Sequence, residues 1–489
     1  MAFWNRTKPI DTAHEQEGAH QLRKTLSWPH LVALGVGAIV GTGIYTLIGT
    51  GAGLAGPGVI LSFAIAGVVC VCAALAYAEM ATMIPASGSA YTYTYSVLGE
   101  LLAWIVGCSL ILEYTVVCSA VAVGWAGYAN GFLESVGVHL PTWLSTGWMA
   151  DHHFGETFAF DPNKGLISLP AVFISMAVAG LLALGTRESA TVNSVLVLFK
   201  IAALAVFVAI ALPHFDPANF QPFMPNGFLA HDGVRPDGTT GKVGVMAAAA
   251  IIFFAFYGFD AVSTAAEETK NPKRDLTIGI VGSMAVCTVL YMLIGAAALG
   301  AMHFDDFAKS TEPLALIMRT LDQPMAAKIV AGAAVVALPT VILAFMYGQS
   351  RIFFVMARDG LLPHGLSKVS AKTGTPVVMT FVTAIVVSVI AGVFPLGEIA
   401  SVANAGTLAA FIAVAVSMMV LRVKDPSRPR VFKAPLPWVI GPVAVLGCLY
   451  LFTSLSAVAQ KAFFIWNGIG LVAYFAFAMW NSRLAKQAA

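Results

Sequence analysis

The chain has 489 residues, 58% of them hydrophobic and only 11% charged, and its mean hydropathy is +0.82. A soluble domain carries about 25% charged residues to cover its surface, so this composition excludes a water-soluble globular protein. The formal net charge of +2 also excludes the strongly basic face that nucleic acid demands.

Residues 1–29 are polar, carry Arg6, Lys8, Arg23 and Lys24, and lack the early apolar core of a cleavable signal. They read as a tail. A spanning helix needs about 20 mostly apolar residues. Twelve such runs follow, at 30–55, 58–84, 97–130, 166–186, 190–213, 243–267, 276–300, 325–357, 376–394, 396–422, 436–457 and 461–482. The expected class is therefore an all-α integral membrane protein with 12 transmembrane helices. Five runs fall in 30–213, five in 243–422 and two in 436–482, and 483–489 form a second tail. The connections 131–165, 214–242 and 301–324 hold Asp, Pro, Gly and His, as in His152-His153 and Pro236-Asp237-Gly238. They read as surface loops with short helices.

Twelve spans put both termini on one side. The segments of that side carry 19 Lys/Arg and those of the other side seven, which leaves Lys200, well inside run 5. By the positive-inside rule both termini are cytoplasmic and the chain is a multi-pass protein of the inner (cytoplasmic) membrane. The basic cluster from Arg422 to Lys433 fixes topology first, with lipid binding secondary. All six cysteines lie in apolar runs and no Cys/His cluster has metal-ligand spacing. No metal or cofactor is expected.

Run 1 contains Gly35, Gly37, Gly41 and Gly43 within nine residues, each costing about 1 kcal/mol against Ala in a helix interior. Close packing between spans explains isolated glycines; the Gly41-Thr42-Gly43 triplet favours an unwound segment. Run 6 reads Phe253-Phe-Ala-Phe-Tyr257-Gly258-Phe-Asp260, with a carboxylate two residues past a mid-span glycine. Breaks occur inside lipid only where they line a protected cavity. Paired breaks opening two sets of five spans mark the site of an inverted-repeat transporter. Free N–H groups at one break suit a carboxylate and free carbonyls at the other an ammonium. Together they fit the zwitterion of an amino acid.

Two more ionisable residues stand alone in apolar runs, Glu113 in run 3 and Lys200 in run 5. Burial disfavours the charged form of either type and so eases proton exchange. They are proton-coupling candidates, Lys200 also as a substitute for a bound cation; the plain alternatives are a snorkelling lysine and a glutamate hydrogen-bonded for packing. Glu79 reads as structural, and the role of Asp260 stays open. Tyr91, Tyr93 and Tyr95, between runs 2 and 3, suit interfacial anchors or an inner gate. The sequence has no HExxH, GxSxG or Walker A motif, so the chain reads as no enzyme, and transport is passive or ion-driven.

Four stretches carry a resemblance to a known family: Gly35 to Tyr45, Tyr77-Ala-Glu79 through Tyr91, Phe253 to Asp275, and Tyr347-Gly-Gln-Ser-Arg351 to Pro363. With them the chain resembles the amino acid–polyamine–organocation (APC) superfamily, in its cationic amino acid transporter branch with bacterial members. The resemblance implies the leucine-transporter fold, a 5+5 inverted repeat with broken helices 1 and 6 and two added helices. It implies a substrate carboxylate at the backbone around Gly41, Thr42 and Gly43, and an amino group at carbonyls of Ile39, Phe254, Ala255 and Tyr257. Spans 3, 6, 8 and 10 would supply the outer pocket, with Leu338 as its one named candidate. Lys200 matches a fifth-span lysine that stands in a sodium site of proton-coupled relatives, and Glu113 a third-span glutamate beside the pocket.

The resulting expectation is a secondary active L-amino acid importer working by alternating access, proton-coupled, sodium-independent, monomeric, and favouring small neutral side chains. Cationic substrates are the alternative, as is amino acid or polyamine exchange without net proton coupling. A membrane-embedded sensor and an intramembrane enzyme are the readings from other classes.

Overall fold

The computed structural model describes residues 6–10, 26–150, 161–184, 186–235, 238, 240–368, 370 and 375–488. His152-His153, Pro236-Asp237 and most of the 1–29 tail lie outside the described residues. The chain is mostly helical and multi-pass. Among the described residues nine helical stretches are long and apolar enough to cross a membrane, and Trp28–Ile39, Leu169–Leu184 and Val377–Val393 are shorter apolar helices. The Glu100–Ser135 helix is the central post, packed against Leu396–Lys424 and Pro339–Arg358, while Trp28–Ile39 lies along Pro272–Ala301.

Both glycine-rich interruptions are present. Run 1 is the helix Trp28–Ile39, a break at Val40-Gly41, one turn at Thr42–Tyr45, and a second helix Leu47–Ala55. Run 6 is Val245–Ile252, a tight turn at Phe253–Ala255, and Phe259–Thr264. Gly258 between them has φ +122°, and a Cβ there would lie 2.9 Å from the carbonyl carbon of Ala38. A Cβ on Gly43 would overlap the Cα of Ala255. Only glycine allows the two broken segments to meet backbone to backbone.

Each break strands carbonyls, and other helices cap them. Tyr291 donates its hydroxyl to Ile39 O at 2.6 Å, Tyr128 to Tyr45 O at 2.6 Å, and Asn404 its amide to Ala250 O at 2.7 Å. Run 8 supplies a third interruption that its hydropathy conceals, dividing at Leu338 into Pro324–Ala337 and Pro339–Arg358. Proline has no N–H for the carbonyl four residues back, which is that of Val335. The Trp125 indole donates to this carbonyl instead, at 2.6 Å.

The connections between runs hold short helices such as Thr142–Ser145 and Phe304–Phe307, together with a two-stranded antiparallel ribbon pairing His231–Val234 with Thr240–Val243. No alternating apolar pattern announces these strands: His231–Val234 is mostly exposed, and Thr240–Val243 runs from an exposed Thr240 to a buried Val243. The Pro85–Tyr95 stretch is not a plain connector. Ser89–Val97 is a helix whose Tyr91, Tyr93 and Tyr95 are fully buried, which removes the lipid-interface reading for these tyrosines.

Candidate functional site

The two breaks face each other around a small space of about 10 Å³, room for one water. Its floor and one wall are Ile39, Gly41, Thr42 and Gly43 from the first break, and Phe254 and Tyr257 from the sixth-run break. The opposite wall is apolar, made by Val117 and Val121 on Glu100–Ser135 and by Val341 and Phe345 on Pro339–Arg358. The Phe345 ring stands edge-on to Tyr257 at 6.0 Å between centroids. As it stands, the space holds nothing larger than a water.

Seven of the eight residues expected to bind substrate come together here. Ala255 lies just behind the lining, against Gly43. Leu338 is the departure: it is buried beside the proline break and takes no part in the lining. One and two turns onward, Val341 and Phe345 stand where it was expected. The sequence gives no reason to prefer them, because every apolar residue of a spanning helix looks alike until the helix rotation is known. The Val117/Val121 and Val341/Phe345 pairs do share the i, i+4 spacing of one helix face, the one signal available. No residue of the tenth run lines the space.

The Thr42 and Gly43 amides open a helical turn, where the first N–H groups have no intrahelical partner. The Thr42 hydroxyl is buried without a hydrogen bond. Behind this turn Lys200 is fully buried, and its ammonium donates to Gly37 O at 2.8 Å, Val40 O at 2.6 Å and Thr340 Oγ1 at 2.8 Å. All three ammonium donors are used, two of them on carbonyls released by the first break. A snorkelling lysine would reach for the interface; this one turns inward.

Glu113 is also fully buried, but outside the lining. Neither of its oxygens has a hydrogen bond among the described residues, and the groups near it include the Thr407 hydroxyl, the Asp260 carboxylate and Tyr77, Tyr114 and Tyr257. Asp260 itself is anchored, accepting from Tyr114 Oη at 2.6 Å and from the Gly258 amide at 3.1 Å. Its place in the first turn of Phe259–Thr264 suits a carboxylate. Glu79 is remote from the space. It is held by Arg422 at 2.8 and 2.6 Å, Arg430 at 3.2 Å and the Ala434 amide at 2.8 Å, the fully paired state that a buried carboxylate requires.

Ion pairs gather on the face that carries both termini. Lys8 meets Asp359 at 2.7 Å, Tyr91 donates to the other oxygen of Asp359 at 3.0 Å, and Arg351 pairs with Glu268 at 3.0 Å in near-complete burial. Arg6 and Lys8 of the tail are therefore tied to this face. Among the described residues no group of His, Cys, Asp and Glu is arranged to hold a metal ion.

Residues 26–480 match the model of a protein family described as amino acid permease. The branched-chain amino acid permease BcaP of Bacillus subtilis is 45% identical over 480 residues, covering 98% of each chain. The methylthioribose transporter of the same organism is 38% identical across 99% of this chain and all of that protein. The vacuolar cationic amino acid transporter 4 of Arabidopsis thaliana is 36% identical over 86% of this chain and 67% of its own length.

Proposed function

The chain belongs to the amino acid permease family, and on that premise we propose that it is a proton-coupled, sodium-independent importer of neutral L-amino acids. The observation that carries the reading is the Lys200 ammonium, seated by three hydrogen bonds among the carbonyls of the first break. A fixed cation at that point leaves no coordination for sodium, and its neighbours belong to the segment that would hold substrate. Loss and gain of its proton would then loosen and tighten that segment, and Glu113 would pass or store the proton on the other side of the space.

In this reading the substrate carboxylate sits on the Thr42 and Gly43 amides with the Thr42 hydroxyl. The amino group sits on carbonyls of Ile39, Phe254, Ala255 and Tyr257. Ile39 O keeps one lone pair free beyond its bond from Tyr291. The side chain lies against Val117, Val121, Val341 and Phe345. This apolar wall favours a neutral aliphatic side chain over a cationic one, as does the name of the BcaP relative. Cationic substrates are the second reading, favoured by the under-bonded Glu113 carboxylate beside the space.

The architecture of the proposal is twelve spans, with 30–213 and 243–422 as inverted repeats of a leucine-transporter fold and 436–482 as two added helices. It places both termini in the cytoplasm, the protein in the inner membrane, and the working unit as a monomer. The test is uptake of radiolabelled leucine, alanine and arginine into proteoliposomes, with and without an inward proton gradient and with sodium replaced by choline. Leucine or alanine uptake that rises with the gradient and ignores sodium is the expected result. Uptake indifferent to the gradient defeats the coupling, and arginine as the preferred substrate defeats the side-chain assignment.

A further inference from the structure

The central helix Glu100–Ser135 does more than wall off the side-chain end of the space. Val117 and Val121, which line it, are followed on the same face by Gly124 and Tyr128, at the i, i+4, i+7 and i+11 spacing of one stripe. Tyr128 donates to Tyr45 O and stands edge-on to the Tyr45 ring, 5.7 Å between centroids. Gly124 meets the start of the same turn. A Cβ on it would overlap Thr42 Cγ2 and lie 2.8 Å from Thr42 Oγ1 and 3.2 Å from Thr42 Cβ. The Thr42–Tyr45 turn is thus docked on the central helix at both of its ends.

Glycine is costly in a helix interior, where alanine is the best residue. The Gly124 backbone is ordinary helix and makes no call for it; the side chain opposite does. Three neighbours close on the first break. A Cβ on Gly41 would lie 2.6 Å from Val341 Cγ2, and one on Gly43 would overlap Ala255. In those two contacts the bare Cα belongs to the break itself. At Gly124 the notch is in the neighbour, and what fills it is the side chain that carries a hydroxyl. A threonine in a helix divides between two χ1 rotamers, and they aim the hydroxyl in different directions.

We infer that Gly124 is a positioning residue for the substrate: its missing Cβ is the socket that holds Thr42 in one rotamer and so aims the hydroxyl. The inference rests on the reading that Thr42 and Gly43 receive the substrate carboxylate. Gly124 acts through Thr42. Because the rotamer is fixed before the ligand arrives, its entropy is not lost on binding. One rigid helix then both walls the substrate side chain, through Val117 and Val121, and sets the seat of the carboxylate, through Gly124 and Tyr128.

The test is titration of the purified full-length protein with L-leucine, L-alanine and L-arginine, the rise in melting temperature giving an apparent Kd for each. With the amino acid that binds the parent best, Gly124→Ala should weaken binding about tenfold, because the added methyl displaces Thr42. Thr42→Ser takes the methyl out of the notch and frees the hydroxyl to turn, and should weaken binding about threefold. The double variant moves one methyl from the turn to the helix. It should bind about as well as Thr42→Ser, whereas independent losses would multiply to about thirtyfold. Gly127→Ala makes the same exchange on the same helix, where the Cβ meets Thr311 Cβ at 3.2 Å, and should leave affinity unchanged. Multiplied losses in the double variant overturn the inference, as does a loss from Gly127→Ala equal to that from Gly124→Ala. Affinity of Gly124→Ala within about twofold of the parent also overturns it. If Gly124→Ala does not fold, a double variant that folds and binds supports the socket, and one that also fails to fold refutes it. A parent stabilised by none of the three amino acids overturns the substrate reading and this inference with it; a stabilised parent with the wrong pattern of variants overturns this inference alone.

Discussion

The Trp125–Val335 hydrogen bond across the proline of run 8 makes a quantitative prediction. Trp125→Phe keeps an aromatic ring but removes the indole donor, the only one among the described residues that reaches the stranded Val335 carbonyl. An acceptor left without a partner away from water costs about 1–3 kcal/mol. The smaller ring gives up about 40 Å² of apolar contact, about 1 kcal/mol more at 25 cal/mol per Å². The single variant should therefore lose about 2–4 kcal/mol. Pro339→Ala restores an N–H at the position that normally serves Val335, so in that background Trp125→Phe should cost only the ring contact. The measurement is a double-mutant cycle of unfolding free energies from SDS denaturation of purified protein. The expected interaction energy is about 1–3 kcal/mol. If Trp125→Phe costs the same with proline and with alanine at 339, the carbonyl is not what links the two residues and the reasoning fails.

Other outcomes follow from the site and its supports. Lys200→Met keeps the stem and removes three donated hydrogen bonds; uptake should lose its response to an inward proton gradient, and wild-type uptake across pH would refute the coupling role. Gly43→Val puts a side chain into the Cα of Ala255, so amino acids should no longer raise the melting temperature; retained ligand stabilisation contradicts the packing of the two breaks. Glu79→Ala leaves Arg422 and Arg430 facing each other without their shared carboxylate and should destabilise by about 3–5 kcal/mol, read by SDS denaturation. Burial holds the Glu312 carboxyl above its ordinary value against the opposing pull of Arg319. An acid raised in this way binds its proton more tightly folded than unfolded. Its contribution to stability is greatest in acid and falls as pH rises through the raised range, so Glu312→Gln should flatten the pH profile of melting.

The sequence revealed most where chemistry and lipid disagree. Gly41-Thr42-Gly43 and Gly258 mark both breaks because glycine is costly in a helix, and Lys200 and Glu113 stand out because charge is costly in hydrocarbon. What could not be read was pairing and rotation. Nothing local to Trp125 says that its indole serves a carbonyl 210 residues away. Nothing about Leu338 shows that the wall belongs to Val341 and Phe345, for a proline can kink a helix without saying which face the kink presents. The ribbon pairing His231–Val234 with Thr240–Val243 escaped for the opposite reason: one strand is mostly exposed and the other buries Val243 alone, so no apolar alternation betrays it.

The capped breaks carry a consequence for stiffness. An unwound stretch of helix is usually pictured as the soft joint of a moving protein. Here the loose ends are tied by Lys200, Tyr291, Tyr128 and Asn404, which reach in from four different helices. Ties from four directions make these stretches rigid fittings. Any swing of the first and sixth helical runs must carry the tied neighbours along or exchange each tie for water. Backbone amide exchange in these stretches should accordingly be slow.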